Sequence, residues 1–170
     1  MKVASCSSQP VAGVGRGEGV LRPCAAGSDT IDESVIGAVE LSPARGRIHM
    51  DWHVQKCNVR AEQVVGFVCD RAARYGRILL VLDRSNPHRT AARKLQALLG
   101  RRLHLEWLPA YAPDLNPTEQ LWNHAKYADL ANFVPNDINH LARRAGLSLY
   151  HQSRRATLLR SFFKTAKLRL

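Results

Sequence analysis

The chain has 170 residues, 45% hydrophobic and 23% charged, which is enough apolar content for one packed domain and too short for two. No stretch approaches the ~18 consecutive apolar residues of a membrane span, and the first ten residues lack the apolar run of a secretory leader, so the expected location is cytoplasmic. The 25 Lys and Arg outnumber the 14 Asp and Glu for a net charge of +11, which points to a polyanionic partner rather than an acid-seeking or membrane-inserted role.

In chain order, residues 1–30 are rich in Gly, Ser, Ala and Pro and carry no apolar period, so a loose arm is expected there. Gly13, Gly15, Gly17 and Gly19 have no strand before them and no Gly-Lys-Ser/Thr after them, and they read as linker rather than as a phosphate-cradling loop. Residues 34–39, the turn residues 42–46 and residues 47–52 have the pattern of a β-hairpin. Residues 60–74 place Val64, Phe67 and Val68 at helical spacing, and Gly76 ends that helix. The apolar run 77–82 predicts a strand covered on both faces, ending at Asp83. A second helix is expected over 90–99, stopped by Gly100, and then a strand over 103–108. Pro117 suits the first turn of a helix through Glu119, Trp122 and Lys126, capped by Asn116. Asn136 or Asp137 is the expected cap of a helix to Leu147, and 153–170 reads as a basic amphipathic helix. Strands alternating with helices after a hairpin predict an α/β domain.

Charge is uneven. No acid follows Asp137, whereas Arg143, Arg144, Arg154, Arg155, Arg160, Lys164, Lys167 and Arg169 do, so the tail is either a solvated basic face or a polyanion contact. Cys6, Cys24, Cys57 and Cys69 form no C-x-x-C pair and are expected as reduced thiols.

Two acids stand out by position. Asp83 closes a strand and Glu119 opens the helix after the next strand, and ligand sites of α/β sheets gather at the carboxyl ends of strands. Such carboxylates suit Mg²⁺ or Mn²⁺ and phosphodiester chemistry; by position alone they equally suit a turn residue and a helix-dipole residue. The segment Leu108-Pro109-Ala110-Tyr111-Ala112-Pro113-Asp114-Leu115-Asn116-Pro117-Thr118-Glu119-Gln120-Leu121-Trp122, with Lys126-Tyr127 after it, resembles the signature of DDE transposases in the bacterial insertion-sequence branch of the mariner-like superfamily. Val81-Leu82-Asp83-Arg84 with His88-Arg89 resembles the same family's second-acid segment, and the 35 residues between Asp83 and Glu119 suit its spacing. The resemblance covers roughly residues 20–147.

That resemblance implies a ribonuclease-H-like mixed sheet with flanking helices over residues 31–147, followed by a basic C-terminal helix over 148–170. It implies Asp83 and Glu119 as catalytic, metal-holding acids, Mg²⁺ or Mn²⁺ as cofactor, and DNA as partner: cleavage at the transposon end and strand transfer to a target, generally by a dimer. Nucleoid-associated action follows from a DNA partner. The family's first acid lies on a first strand ahead of the hairpin. Here only the glycine-rich arm precedes it, so the reading is a chain truncated at its N-terminus, missing that strand, its acid and the upstream DNA-binding domain. Asp32 is the nearest candidate for that acid but abuts the hairpin strand, and Asp51, at the hairpin's far end, is a poorer one. Impaired chemistry is the expected consequence, and the alternative is a non-catalytic nucleic-acid-binding remnant. An unrelated α/β phosphoesterase needs more acids or histidines near Asp83 than the chain offers.

Among the remaining candidates, Arg84, Arg89, Arg93, Arg101, Arg102, Lys126, Arg154 and Arg155 are the expected phosphate-neutralising cations. His88 reads first as a polar loop residue beside Arg89, Tyr111 as a residue able to stack on a base, and Trp122 as core packing.

Overall fold

The structure, a computed structural model, describes residues 2–10, 34–42, 45–55 and 58–168. Most of the expected N-terminal arm, and Asp32 with it, lies outside the described residues. The strands are β1 (Lys2–Pro10), β2 (Ser34–Ser42), β3 (Arg47–Gln55), β4 (Ile78–Leu82) and β5 (Leu103–Trp107). They form one sheet in the order β3-β2-β1-β4-β5, antiparallel from β3 to β1 and parallel from β1 to β5. Helices α1 (Ala61–Tyr75) and α2 (Asn86–Leu99) cover one face. Helices α3 (Pro117–His124), α4 (Ile138–Ser153) and α5 (Ala156–Thr165) lie on the other, or follow on from it. The fold is the expected ribonuclease-H-like mixed sheet with flanking helices.

One part of that expectation is corrected. The first strand is not missing: Lys2–Pro10 runs between β2 and β4, pairing Cys6 with Ala38 on one side and with Leu82 on the other. The physical reason is that backbone pairing does not depend on side-chain pattern. β2 and β4 each present a ladder of N–H and C=O groups that must be satisfied inside the sheet, and a segment without apolar alternation fills that place as well as one with it. Among the described residues the sheet ends at β3 on one side and β5 on the other.

β2 shows why the hairpin pattern is continuous rather than alternating: Ser34 to Glu40 are all buried, because both faces of this strand are covered. Ile36 and Ala38 join Val64, Phe67, Val68, Leu80, Leu82 and Leu95 in one core. Val35 and Val39 join Met50, Leu121, Trp122, Leu159 and Phe162 in the other. Gly37 has a specific use, since a Cβ there would stand 3.2 Å from the Trp122 ring. The indole lies close over the strand at that point, in the core-packing role expected of Trp122.

Helix boundaries differ from the sequence pattern at two places. α2 starts at Asn86 with Pro87 in its first turn, not at Thr90. α4 runs through to Ser153, capped by the Asp137 side chain on the His140 amide at 2.7 Å, so the basic tail is divided between α4 and α5.

Candidate active site

The strand end at Asp83 is built by local rules. After Leu82 the chain leaves the sheet, and the Asp83 Oδ1 accepts a hydrogen bond from the Ser85 amide at 2.9 Å, an Asx turn that leads into α2. His88, in the first turn of that helix and 0% exposed, places Nδ1 2.6 Å from the same Oδ1. With the carboxylate ionised, the N–H at Nδ1 donates. Burial by itself raises the Asp83 carboxyl, but the hydrogen bond and charge of His88 and the Ser85 amide outweigh it and hold the group below the ordinary Asp value. The side chain stays 34% exposed, and Oδ2 has no hydrogen-bond partner among the described residues.

His88 is where the polar-loop reading is overturned. With α2 beginning at Asn86, His88 falls on the helix's buried stripe with Ala91, Ala92 and Leu95, spaced i, i+3, i+4 and i+7. Pro87 was the available signal, since proline in a first turn moves the helix start forward by four residues. Next to Asp83, the Leu108 amide continues the sheet ladder to the Leu82 carbonyl at 2.9 Å. Arg84 Nε donates to the Leu108 carbonyl at 3.1 Å, so that side chain braces the ends of β4 and β5.

Glu119 comes from the long motif. Three prolines stop regular structure after β5; a 3₁₀ turn at Pro113–Leu115 redirects the chain, and Asn116, buried, accepts from the Thr118 amide at 3.1 Å to start α3. Glu119 stands in the first turn, half-exposed, where the helix dipole favours a carboxylate. Tyr111, at the tip of the loop, is fully exposed with φ of 58°.

Asp51 is excluded from this region. It lies on the edge strand opposite Ala38, with two strands, β2 and β1, between it and β4. Arg71 Nη2 is 3.0 Å from its carboxylate, Arg74 3.7 Å and His49 3.3 Å. Burial raises this carboxyl, yet the His49 hydrogen bond and the two guanidinium charges lower it to about 2. Arg71 also reaches Glu40, which is 2% exposed, at 3.7 Å, and its guanidinium lies 4.0 Å from the Phe67 ring. This buried ion cluster left no trace in the sequence analysis beyond Asp51 itself; Arg71 falls on the buried stripe of α1 with Val64, Phe67 and Val68, where a pattern reading still assigns an arginine to solvent.

The expected cations lie in several places; Arg101 and Arg102 are on the 3₁₀ turn after α2, where Arg102 donates to the Gly76 and Ala72 carbonyls. Arg84, Arg89 and Arg93 are exposed at the end of β4 and on α2; Arg154 and Arg155 are exposed at the α4–α5 junction on the opposite face, and Lys126 is exposed on a π turn, Ala125–Asp129, that follows α3.

Residues 34–140 match the family model of the DDE superfamily endonuclease. The chain belongs to the DDE superfamily endonuclease family. No protein of curated function matches it. Solved structures to which it is similar include a simian T-cell lymphotropic virus intasome in complex with the PP2A regulatory subunit B56 gamma, at 10% identity and a TM-score of 0.49, over 87% of this chain and 46% of that one, and the Mos1 mariner paired end complex with Mn, at 14% identity and 0.44, over 97% and 54%. The chain thus spans about half the length of each. DDE endonucleases as a family imply divalent cations held by three acids. Here β1, the central strand beside Asp83, contains no Asp or Glu, and among the described residues no three His, Cys, Asp or Glu gather to hold a metal. The donors present in this DDE chain fit a loose contact of one hard cation at the Asp83 carboxylate, not the paired-ion arrangement.

Proposed function

We propose that this chain is the catalytic-fold domain of an insertion-sequence DDE transposase, with Asp83 and Glu119 as the second and third acids, and that its phosphodiester chemistry is impaired because the first acid is absent from β1. The observation that carries the reading is the central strand itself, Lys2–Pro10, which runs parallel to β4 one step from Asp83 and offers Ser, Cys and Gln where a carboxylate is needed. Asp83 is otherwise ready for the role: ionised, oriented through one oxygen and open at the other. Mg²⁺ or Mn²⁺ is the cofactor expected of the complete acid set, and DNA ends and target DNA are the partners, engaged by a homodimer at the nucleoid. What persists in this chain is attraction to the phosphate backbone, sequence-independent and salt-sensitive. Arg84, Arg89, Arg93, Lys126, Arg154 and Arg155 are the residues assigned to it.

Nicking of supercoiled plasmid in Mg²⁺ or Mn²⁺ tests the reading, alongside duplex binding at increasing salt. The expected result is bound DNA that loses affinity steeply with salt and no nicking above background. Nicking by the unaltered chain that disappears in Asp83→Ala and Glu119→Ala would contradict it, because a third acid would then be completing the site.

A further inference from the structure

β5 ends the sheet on the side of Asp83, and the groups it leaves open are in a fixed order. The Leu108 amide donates to the Leu82 carbonyl at 2.9 Å. Backbone groups alternate sides along a strand, so those of Glu106 and His104 face β4 as well, and those of Leu103, Leu105 and Trp107 face outward. The Leu103 amide is taken by the Gly100 carbonyl. The Leu105 and Trp107 amides and the carbonyls of all three residues are left on the outer side, where no described strand lies. Side chains alternate between the two faces. Leu103, Leu105 and Trp107 pack on the core beneath α1 and α2, each only partly buried. His104 and Glu106 stand together on the other face, 2.9 Å apart and 66% and 59% exposed. Such a row of amides and carbonyls is a template for another strand. The strand carries no Lys or Pro, and its register with β4 is unbroken by any bulge, so the usual devices that blunt an edge are missing apart from its shortness.

This strand is complementary to itself. Laid antiparallel about Leu105, a second copy sets Leu103 opposite Trp107, Leu105 opposite Leu105 and His104 opposite Glu106. Apolar side chains then meet apolar ones on one face. On the other, carboxylate meets imidazole twice, at the non-hydrogen-bonded positions where cross-strand side chains come closest. The backbone agrees with that register: each Leu105 amide reaches the Leu105 carbonyl of the other copy, and each Trp107 amide the other copy's Leu103 carbonyl. Only the Leu103 amide, already donated to Gly100, takes no part. The neighbouring registers that keep the backbone in phase oppose Glu106 to Glu106 or His104 to His104. β3, at the other end of the sheet, offers no comparable acid, because its Asp51 is held by Arg71 and Arg74. We propose that β5 is a self-association surface, on which two copies of this chain pair their end strands into one continuous sheet. The contact is isologous and closes at two copies. With five residues in the strand and a charge of +11 on each copy, the dimer is weak and concentration-dependent. The inference rests on the reading above for its homodimer, to which it gives a surface, and it requires no DNA.

Sedimentation equilibrium without DNA, over about 5–500 μM protein, tests the surface with the unaltered chain, His104→Glu, Glu106→Arg and an equimolar mixture of the two variants. The unaltered chain should pass from monomer to dimer within that range. Each variant alone sets like charges opposite one another and should dissociate at least about tenfold more readily. The mixture restores acid opposite base at both places and should associate within about threefold of the unaltered chain. Both side chains are exposed, so the substitutions leave the fold in place, as circular dichroism would record. Hydrogen exchange on the unaltered chain gives a second readout. The Leu105 and Trp107 amides should slow as protein concentration rises, while those of His104 and Glu106, bonded to β4, stay slow throughout. A monomer over the whole range, variants that associate like the unaltered chain, or a mixture that stays monomeric overturns the surface. A Leu105 amide protected in the monomer also overturns it, because another segment of the chain then occupies the edge. Plasmid binding measured alongside holds or fails separately, and its loss touches the DNA reading alone.

Discussion

Asp51, within an edge strand, and Asp83, just past the end of one, are both held below their ordinary pKa, yet their surroundings differ. Asp51 is the more perturbed, lowered to about 2 and 19% exposed, and its partners are charged side chains that also hold Glu40. Asp83 is the less enclosed, and its partners are an imidazole and a backbone amide on a single oxygen. The depth of a pKa shift thus does not single out the proposed metal-holding acid; what distinguishes Asp83 is an ionised carboxylate oriented on one side and open on the other. Asp51 is part of what keeps α1 on the sheet.

The sharpest way to break the comparison is through Arg71. Replacing it by Met leaves Glu40 and Asp51 without their buried counter-charge, and urea unfolding should register a loss of about 3–5 kcal/mol. A loss below 1 kcal/mol would mean that the cluster is solvated. Next in size is the acid limb. A carboxyl whose folded pKa lies below its unfolded value, about 4, contributes stability above that value and loses it as the pH falls toward the folded one. With the Asp51 pKa at about 2, about 2 kcal/mol should disappear between pH 4 and 2, and the stability profile of Asp51→Asn should be flatter over that window. If both profiles have the same slope, the charge cluster is not what lowers Asp51.

His88→Ala should cost about 1–3 kcal/mol, for a buried side chain and a charge-assisted hydrogen bond. Unlike a merely structural loss, it should also move the Asp83 carboxyl titration, followed by carbon NMR, upward toward the ordinary value. An unchanged titration would remove His88 from the role of orienting Asp83. The smallest effect is expected for Asp83→Asn, whose Oδ1 keeps both donors: less than about 1 kcal/mol by urea unfolding, against the larger cost of the equivalent change at Asp51. Equal costs at the two sites would erase the distinction drawn between them.

What the sequence made legible follows the strength of its physical signals. The strand 78–82, the helix 61–75 and the Asn116 cap were readable because apolar runs, helical periodicity and Asn-Pro each leave one dominant solution. Asp83 and Glu119 stood out because both end or begin elements at the carboxyl edge of the parallel strands. β1 was not legible, because what holds it is the backbone pairing of its neighbours and not its own pattern. His88 was missed by starting α2 four residues late, and Arg71 because long polar side chains on a buried stripe are read as solvent-facing unless their partners on other strands are known. Gln152, which ties α4 to the π turn by donating to Ser148 as Ser148 donates to Asp129, carried no sequence signal at all.

The place of β1 beside β4 can be tested by supplying the missing acid. The β1–β4 register ends at the Cys6–Leu82 pair, and Ser7→Asp supplies a carboxylate on the central strand at the residue after that pair, as Asp83 follows it beyond β4. Supercoiled plasmid in Mn²⁺ should be nicked by this variant and not by the unaltered chain, with the gained activity lost again on Asp83→Ala or Glu119→Ala. Folded Ser7→Asp protein that binds plasmid and leaves it uncut would contradict the claim that the absent first acid is what silences this site.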